Sequence, residues 1–209
     1  MKFNSSFDHS LKIILLGDAG VGKTNFIHKY VSGKFSERYA TTLGIDCKSK
    51  ICTLPNSKKK VKVNLWDTAG QERYMSINKL FFQRVQGIIL MYDITSRSSY
   101  EQLSKWVQII KKETYKTPVI LVGNKLDQED DKRIVREKEG EKFAKDNDFL
   151  FRETSAFTGQ NINNVISVDT VMSRDKFLKK LWTNSKPCPV HLLNKGDKLN
   201  LDLDIYGIL

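Results

Sequence analysis

At 209 residues the chain is long enough for one well-buried domain with an appendage and short for two. Hydrophobic residues at 40% include no apolar run near the length of a bilayer span, and the first apolar stretch is cut at Gly17 and Asp18, too soon for a signal peptide, so a cytosolic protein is expected. The net charge of +11 raises nucleic acid as a partner, but the lysines are scattered among acids and no basic strand carries paired aromatics for stacking on bases; the expectation is a solvated lysine-rich surface and no nucleic acid.

Taken in order, residues 11–16 (LKIILL) form a short apolar, β-branched run of buried-strand type. Residues 17–24 read GDAGVGKT, and NFIHKYV after them puts Phe26, Ile27, Tyr30 and Val31 on one helical face. SGKFSERYATTLG has no helical or strand period and reads as a loop. A hairpin follows, with IDCKSKICTL, a turn at PNSKKK, and VKVNLW, in which Val61, Val63 and Leu65 alternate with Lys62 and Asn64. DTAGQERYMS is again loop-like, and QGIILMYDIT carries the run 88–92 of a central strand. Ser98 or Ser99 is the candidate cap of a helix with the stripe Tyr100, Leu103, Trp106, Val107 and Ile110. Pro118 starts the strand VILVG, residues 136–146 read as a helix with Phe143 and Ala144 inward, and FLFRET reads as a strand. Ile162, Val165, Ile166 and, further on, Phe177, Leu178 and Leu181 suit a last helix.

Strands alternating with helices predict an α/β fold: a mostly parallel central sheet with helices on both faces in three layers, and one antiparallel edge strand from the hairpin. GDAGVGKT, DTAGQ, GNKLD and TSA each follow a strand. In such sheets ligands bind at the carboxyl ends of the strands, so all four are expected to converge on one site.

GDAGVGKT fits G-x-x-x-x-G-K-[ST] and lies between a strand and a helix, where backbone N–H groups and the positive end of the helix dipole point at one spot. Gly17, Gly20 and Gly22 would let the backbone approach phosphate oxygens, Lys23 would reach the outer phosphates and the Thr24 hydroxyl could ligate Mg²⁺. Asp67 is positioned to serve that ion directly or through water; without the glycine loop it would read as a plain strand-ending aspartate. Gly70 offers a backbone N–H with no side chain in the way. GNKLD discriminates the base. A carboxylate at Asp127 can accept from the ring N–H and exocyclic amine of guanine together, a donor pair adenine lacks, while Asn124 and the stem of Lys125 would position and cover the ring. TSA, with Ser155 and Ala156, would add a backbone N–H for the base carbonyl.

GDAGVGKT, TTLGID, WDTAGQERY, GNKLD and ETSA stand in the order, and nearly at the spacings, of the Ras superfamily of small GTPases, and WDTAGQERY with TTLGID and GIILMYDIT resembles the Rab family in particular. The resemblance covers roughly 11–181 and implies an N-terminal extension (1–10), a GTPase domain (11–182) and a variable tail (183–209). It further implies that Ala19, Gly20, Val21, Gly22, Lys23, Thr24 and Asn25 line the phosphates of GTP or GDP. Thr24, Thr42 and Asp67 would serve Mg²⁺, with Thr42 engaging only beside a γ-phosphate. Phe35 would stack at the edge of the guanine, and Gln71 would orient the attacking water. The loops around Thr42 and Gly70 would be the switches that meet effectors, an exchange factor and a GTPase-activating protein, in a monomeric regulator of vesicle trafficking.

Departures from that pattern are Ala19, beside the γ-phosphate; Phe157, where a lysine usually follows Ser-Ala, removing a base-loop contact; and Cys47, in place of an aromatic on the effector-facing hairpin. NKLFFQRVQG also lacks the usual tyrosine pair. Cys47, Cys52 and Cys188 are odd in number with no CxxC pair, which fits a reducing compartment, and Cys188 with His191 lacks the second pair that zinc needs. The tail closes on LNLDLDIYGIL, with no prenylation box or cysteine pair, so membrane association only through a recruiting partner, at the cytosolic face of endomembranes, is the expectation. Its alternation reads either as a flexible end or edge strand, or as a strand with Leu199, Leu201, Leu203 and Ile205 on one docking face. Two rival functions stay open: a nucleotide-holding interaction module with little hydrolysis and no lipid anchor, and an adenine-specific ATPase or kinase, which Asn124, Lys125 and Asp127 oppose.

Overall fold

A computed structural model describes residues 7–36, 45–53, 58–68, 81–114, 117–128 and 130–166. The expected strands form one six-stranded sheet in the order β2-β3-β1-β4-β5-β6. They are β1 (His9–Leu16), β2 (Ile45–Thr53), β3 (Lys60–Thr68), β4 (Gly87–Asp93), β5 (Val119–Asn124) and β6 (Leu150–Thr154). Every neighbouring pair is parallel except β2 with β3, the hairpin at the edge.

The alternation within the central strands explains the three layers. Ile13 and Leu15 of β1, Ile89 and Met91 of β4, and Ile120 and Val122 of β5 face one side, where Phe26, Ile27 and Tyr30 of α1 (Lys23–Ser32) and Ile162, Val165 and Ile166 in and after α5 (Ile162–Val165) cover them. Ile14, Leu16, Ile88, Leu90, Tyr92 and Leu121 face the other, under Leu103, Trp106, Val107 and Ile110 of α3 (Leu103–Glu113) and Ala144 of α4 (Glu137–Asp146). A strand buried on both faces reads as an unbroken apolar run, and β4 is buried at every position.

Three details differ from the sequence reading. The stripe expected as one helix is two, α2 (Arg97–Glu101) and α3, with Gln102 between them. Its cap is Ser96 rather than Ser98 or Ser99: Ser96 has the extended backbone a cap requires and its hydroxyl accepts from the Ser99 N–H, whereas Ser99 lies inside the first turn and turns its hydroxyl back toward Asp93. Asp67 and Thr68, assigned to a loop, continue β3. Thr68 holds the extension by donating its hydroxyl to the Leu15 carbonyl at 2.7 Å. The helix continuation through Phe177, Leu178 and Leu181, the zinc question at Cys188 and His191, and the tail lie outside the described residues, as does the division at residue 182.

Behind the sheet ends, α4 packs on β4 and β6 through a glycine. A Cβ at Gly140 would lie 2.4 Å from the Tyr92 hydroxyl oxygen and 2.6 Å from Cε2 of Phe151. Gly to Ala inside a helix ordinarily stabilises by about 1 kcal/mol. Tyr92 is fully buried and cannot swing away, so overpacking, which costs about 1–3 kcal/mol, should win here. Gly140→Ala is therefore expected to lower the urea midpoint, by about 1–2 kcal/mol of stability at unchanged m-value; a raised midpoint would show that propensity decides this position.

Candidate nucleotide-binding site

The site grows from the carboxyl ends of β1, β3, β5 and β6. After β1 the chain enters residues 17–22 with Gly17, Gly20 and Gly22 all at positive φ (134°, 80° and 99°), a backbone that L side chains rarely adopt. The sequence reading gave these glycines to ligand approach. The structure gives two of them nearer neighbours: a Cβ at Gly17 would lie 2.2 Å from the Met91 carbonyl oxygen of β4, and one at Gly22 would lie 2.3 Å from Nδ2 of Asn124. Ala19 and Gly20 are exposed at the crest of the loop, Val21 is buried, and Asn25 is half-buried in the first turn of α1.

Two long-range bonds brace this loop. The Trp106 indole N–H donates to Oδ1 of Asp18 at 2.9 Å, and Asn124 Nδ2 donates to the Val21 carbonyl at 2.8 Å. Trp106 reads in the sequence as a core residue, and only its nitrogen, which needs a partner when the ring is buried, could have signalled the second role.

Lys23 opens α1 and is 5% exposed. Its ammonium donates to the carbonyls of Gly17 at 2.6 Å and Asp18 at 2.8 Å, so it lies folded along the loop. Burial pushes its pKa down to about 8, against the opposing pull of Asp67 and Asp18. Next to it the Thr24 hydroxyl donates to Oδ2 of Asp67 at 2.6 Å, and Asp67 is 3% exposed at the end of β3. A hydroxyl and a carboxylate oxygen meeting at a helix start are hard-oxygen donors of the kind Mg²⁺ takes. Among the described residues no group of three or more His, Cys, Asp and Glu could hold a metal. One hydroxyl and one carboxylate suit Mg²⁺, which is usually held by one or two carboxylates with phosphate oxygens and waters completing its shell.

The other half lies at the ends of β5 and β6. Asn124, 1% exposed, accepts at Oδ1 from the Ala156 N–H at 3.1 Å and from the Thr154 hydroxyl at 3.2 Å. With Nδ2 on Val21, this residue is spent on tying the two halves together, where the sequence reading had it positioning the base. Of the backbone N–H groups in the TSA segment, one of which was expected to serve the base carbonyl, that of Ala156 points at Asn124. Lys125 has φ 74°, and its ammonium pairs with Asp93 at 2.5 Å. Asp127 accepts from the Ser155 hydroxyl at Oδ1 at 2.5 Å and from Gln128 Nε2 at Oδ2 at 2.9 Å. Phe35, three residues beyond α1, meets Phe157 edge to face. Thr42, Gly70 and Gln71 lie outside the described residues.

Comparison with known proteins gives a consistent picture. A model described as the Ras family matches residues 12–173. The chain is similar to the Ras-related protein Rab-13 of Bos taurus, 38% identical over 93% of this chain and 95% of that one. It is similar also to the GTP-binding protein Rab-3D of Rattus norvegicus, 37% identical over 88% of this chain and 83% of that one, and to the Ras-related protein Rab-27B of Homo sapiens, 36% identical over 82% and 84%.

The buried Lys23 makes the ligand-free protein respond to alkali. Its folded pKa of about 8 lies below the ordinary lysine value of 10.5, so between those values the unfolded chain holds more protons and stability rises with pH; below pH 8 the desolvation cost is fully present. Tyr30 and Tyr92, held neutral by burial, act in the opposite direction only as unfolded tyrosines ionise near pH 10. Relative to Lys23→Met, nucleotide-free wild type should therefore gain about 2 kcal/mol from pH 8 to pH 10 in chemical unfolding. Parallel pH profiles for the two proteins would contradict a buried ammonium.

Proposed function

The chain belongs to the Ras family, among its Rab members, and from that membership and the geometry of the strand ends we infer a GTP-binding molecular switch that hydrolyses GTP to GDP and phosphate and acts in intracellular vesicle trafficking. One observation supports the assignment of the site: Asn124 bonds Val21 on one side and Thr154 and Ala156 on the other, which ties the glycine loop to the segments after β5 and β6.

In this reading the N–H groups of residues 19–25 receive the phosphates and Lys23 neutralises the outer ones, its ammonium regaining the ionic partner that burial denies it. Thr24, Asp67 and, beside a γ-phosphate, Thr42 would hold Mg²⁺, which supplies further neutralisation of phosphate charge when bound. Asp127 accepts the two guanine donors, the Ala156 N–H is shared between Asn124 and the base carbonyl, and Phe35 flanks the ring. Gln71 orients the water that attacks, since in phosphoryl transfer the protein mainly positions groups and stabilises charge.

GTPases of this family act through effectors, exchange factors and GTPase-activating proteins. For this chain we propose that the loops around Thr42 and Gly70 meet them and that the molecule works as a monomer. Cys47, exposed on β2 directly across from Trp66, would alter the partner set relative to proteins with an aromatic there. Among the described residues no helix is long and apolar enough to cross a membrane, and recruitment to endomembranes through a partner is the corresponding proposal. The non-hydrolysing module is not favoured, because the family the chain belongs to consists of GTPases and Ala19 adds only a methyl group beside the phosphates.

Base specificity should rest on Asp127. Charge-assisted hydrogen bonds contribute about 1.5–3 kcal/mol each. Asp127→Asn, which exchanges one acceptor for a donor, is expected to weaken GTP at least about tenfold and to strengthen XTP; equal competition by GTP and ATP on the wild type would refute the assignment.

Hydrolysis should depend on Gln71 where binding does not, because its partner is the water rather than the ground-state nucleotide. Gln71→Leu is expected to bind GTP as tightly as wild type and, in single-turnover assays with a cell extract, to hydrolyse it roughly a hundredfold more slowly. Equal slowness of both proteins, with and without extract, would support the non-hydrolysing module instead.

A further inference from the structure

Among the described residues β6 ends the sheet: its one neighbouring strand is β5. Backbone groups along a strand face its two sides alternately, and two bonds set the phase here. The Thr154 carbonyl accepts the N–H of Leu126, just past β5, at 2.9 Å, while the Glu153 carbonyl turns outward and accepts from Nδ2 of Asn161 at 2.9 Å. Phe151, two residues before Glu153, therefore turns its N–H and carbonyl outward as well. Around that edge Phe149, Leu150 and Phe151 are only half-buried, whereas β4 and β5 are buried at every position. An open edge of this kind is a template for a further strand.

The edge floors a groove of about 700 Å³ between α4 and the turn that leads into α5. Its two sides differ in chemistry. On the α4 side Phe149 and Phe151 pack with Ala144 in the apolar cluster of that layer, and Glu137, Glu141 and Lys145 line the rim above them. On the other side of β6, alternation places Arg152 with Leu150, which packs against the opposite cluster. A strand that fills the groove needs apolar side chains toward α4 and acidic ones toward Arg152, in strict alternation.

We propose that residues 199–205 of this chain, LNLDLDI, occupy the groove as a further strand beside β6. The segment has the required pattern, with Leu199, Leu201, Leu203 and Ile205 on one face and Asn200, Asp202 and Asp204 on the other. The leucine row covers Phe149 and Phe151 and takes their exposed area out of water. The aspartates then fall on the Arg152 side, away from Glu137 and Glu141. Main-chain bonds to Phe151 and Glu153 would hold any extended segment, and the alternation fixes which face turns inward, since a slip of one residue would exchange the two rows. The chain between Ile166 and Leu199, at about 3.3 Å per extended residue, is long enough to reach any point on the domain. Covalent attachment keeps the segment at high effective concentration, so contacts too weak to retain a separate peptide suffice to close the edge. Because β6 and β2 lie at opposite edges of the sheet, this seat leaves the hairpin that carries Cys47 open to partners.

The test is amide hydrogen exchange on the full-length protein, read residue by residue by NMR. The outward N–H groups of Phe151 and Glu153 should be protected in wild type. Leu201→Asp combined with Leu203→Asp should speed their exchange roughly tenfold or more, while the amides of β1 and β4 keep their rates and so report an intact domain. Arg152→Glu should open the edge in the same way, and adding Asp202→Lys and Asp204→Lys to it should restore protection. Edge amides that exchange freely in wild type, or stay protected when the leucines are replaced, overturn the docking. Protection that rises with protein concentration assigns the edge to the tail of a second copy and overturns the intramolecular seat. A charge exchange that restores nothing overturns the facing of the aspartates on Arg152.

Discussion

The arrangement depends on one buried amide. Asn124 ends β5 with its side chain aimed across the sheet ends, and its three bonds join the loop after β1, the last residue of β6 and the turn beyond. In a nearly water-free position each of these bonds is stronger than at the surface, and each partner left alone would carry its full desolvation cost. The demand spreads outward: Gly22 must lack a Cβ because Asn124 occupies that space. Trp106 then braces the same loop from α3 through Asp18, so the glycine loop is tied to both helical layers and, through Asn124, to the ends of β5 and β6.

That rigidity is set against a stored electrostatic cost. Lys23 is buried among backbone carbonyls, with its pKa depressed by desolvation despite Asp67 and Asp18 nearby. A polyphosphate would restore what burial removes, since an opposite charge nearby favours the charged form. Asp67, 3% exposed at the end of β3, accepts from the Thr24 hydroxyl, and its charge draws the Lys23 pKa back up. The site has the character of a preorganised receptor for paired opposite charges, anion at the helix start and cation beside it.

The sequence carries the sheet because alternation and unbroken apolar runs are local properties, and β4 reads as buried because it is buried on both faces. The glycine motif with Thr24, and the GNKLD segment with Asp127, stand out for a similar reason, since each is a pattern of residues within a few positions, whereas Asp67 stands out only because the glycine motif is present elsewhere in the chain. What the sequence does not carry are choices among equivalents and contacts across the fold. Four hydroxyls, at Thr95, Ser96, Ser98 and Ser99, compete for one helix cap, and only backbone geometry selects Ser96. Val21 and Asn124, or Lys29 and Phe157, meet only after the strands are ordered. The bridging role of Asn124, the neighbours of Gly17 and Gly22 and the ring pair at Phe157 are all of that second kind.

The most direct measurement is of the nucleotide that accompanies the protein. Chain purified in Mg²⁺ buffer, denatured, and its released nucleotides separated and quantified, should yield close to one guanine nucleotide per chain, chiefly GDP, with adenine nucleotides at trace level. An adenine nucleotide at comparable stoichiometry, or a well-folded chain that carries none and takes up none on incubation with GDP and Mg²⁺, would contradict the reading of the strand ends as a single guanine-nucleotide site.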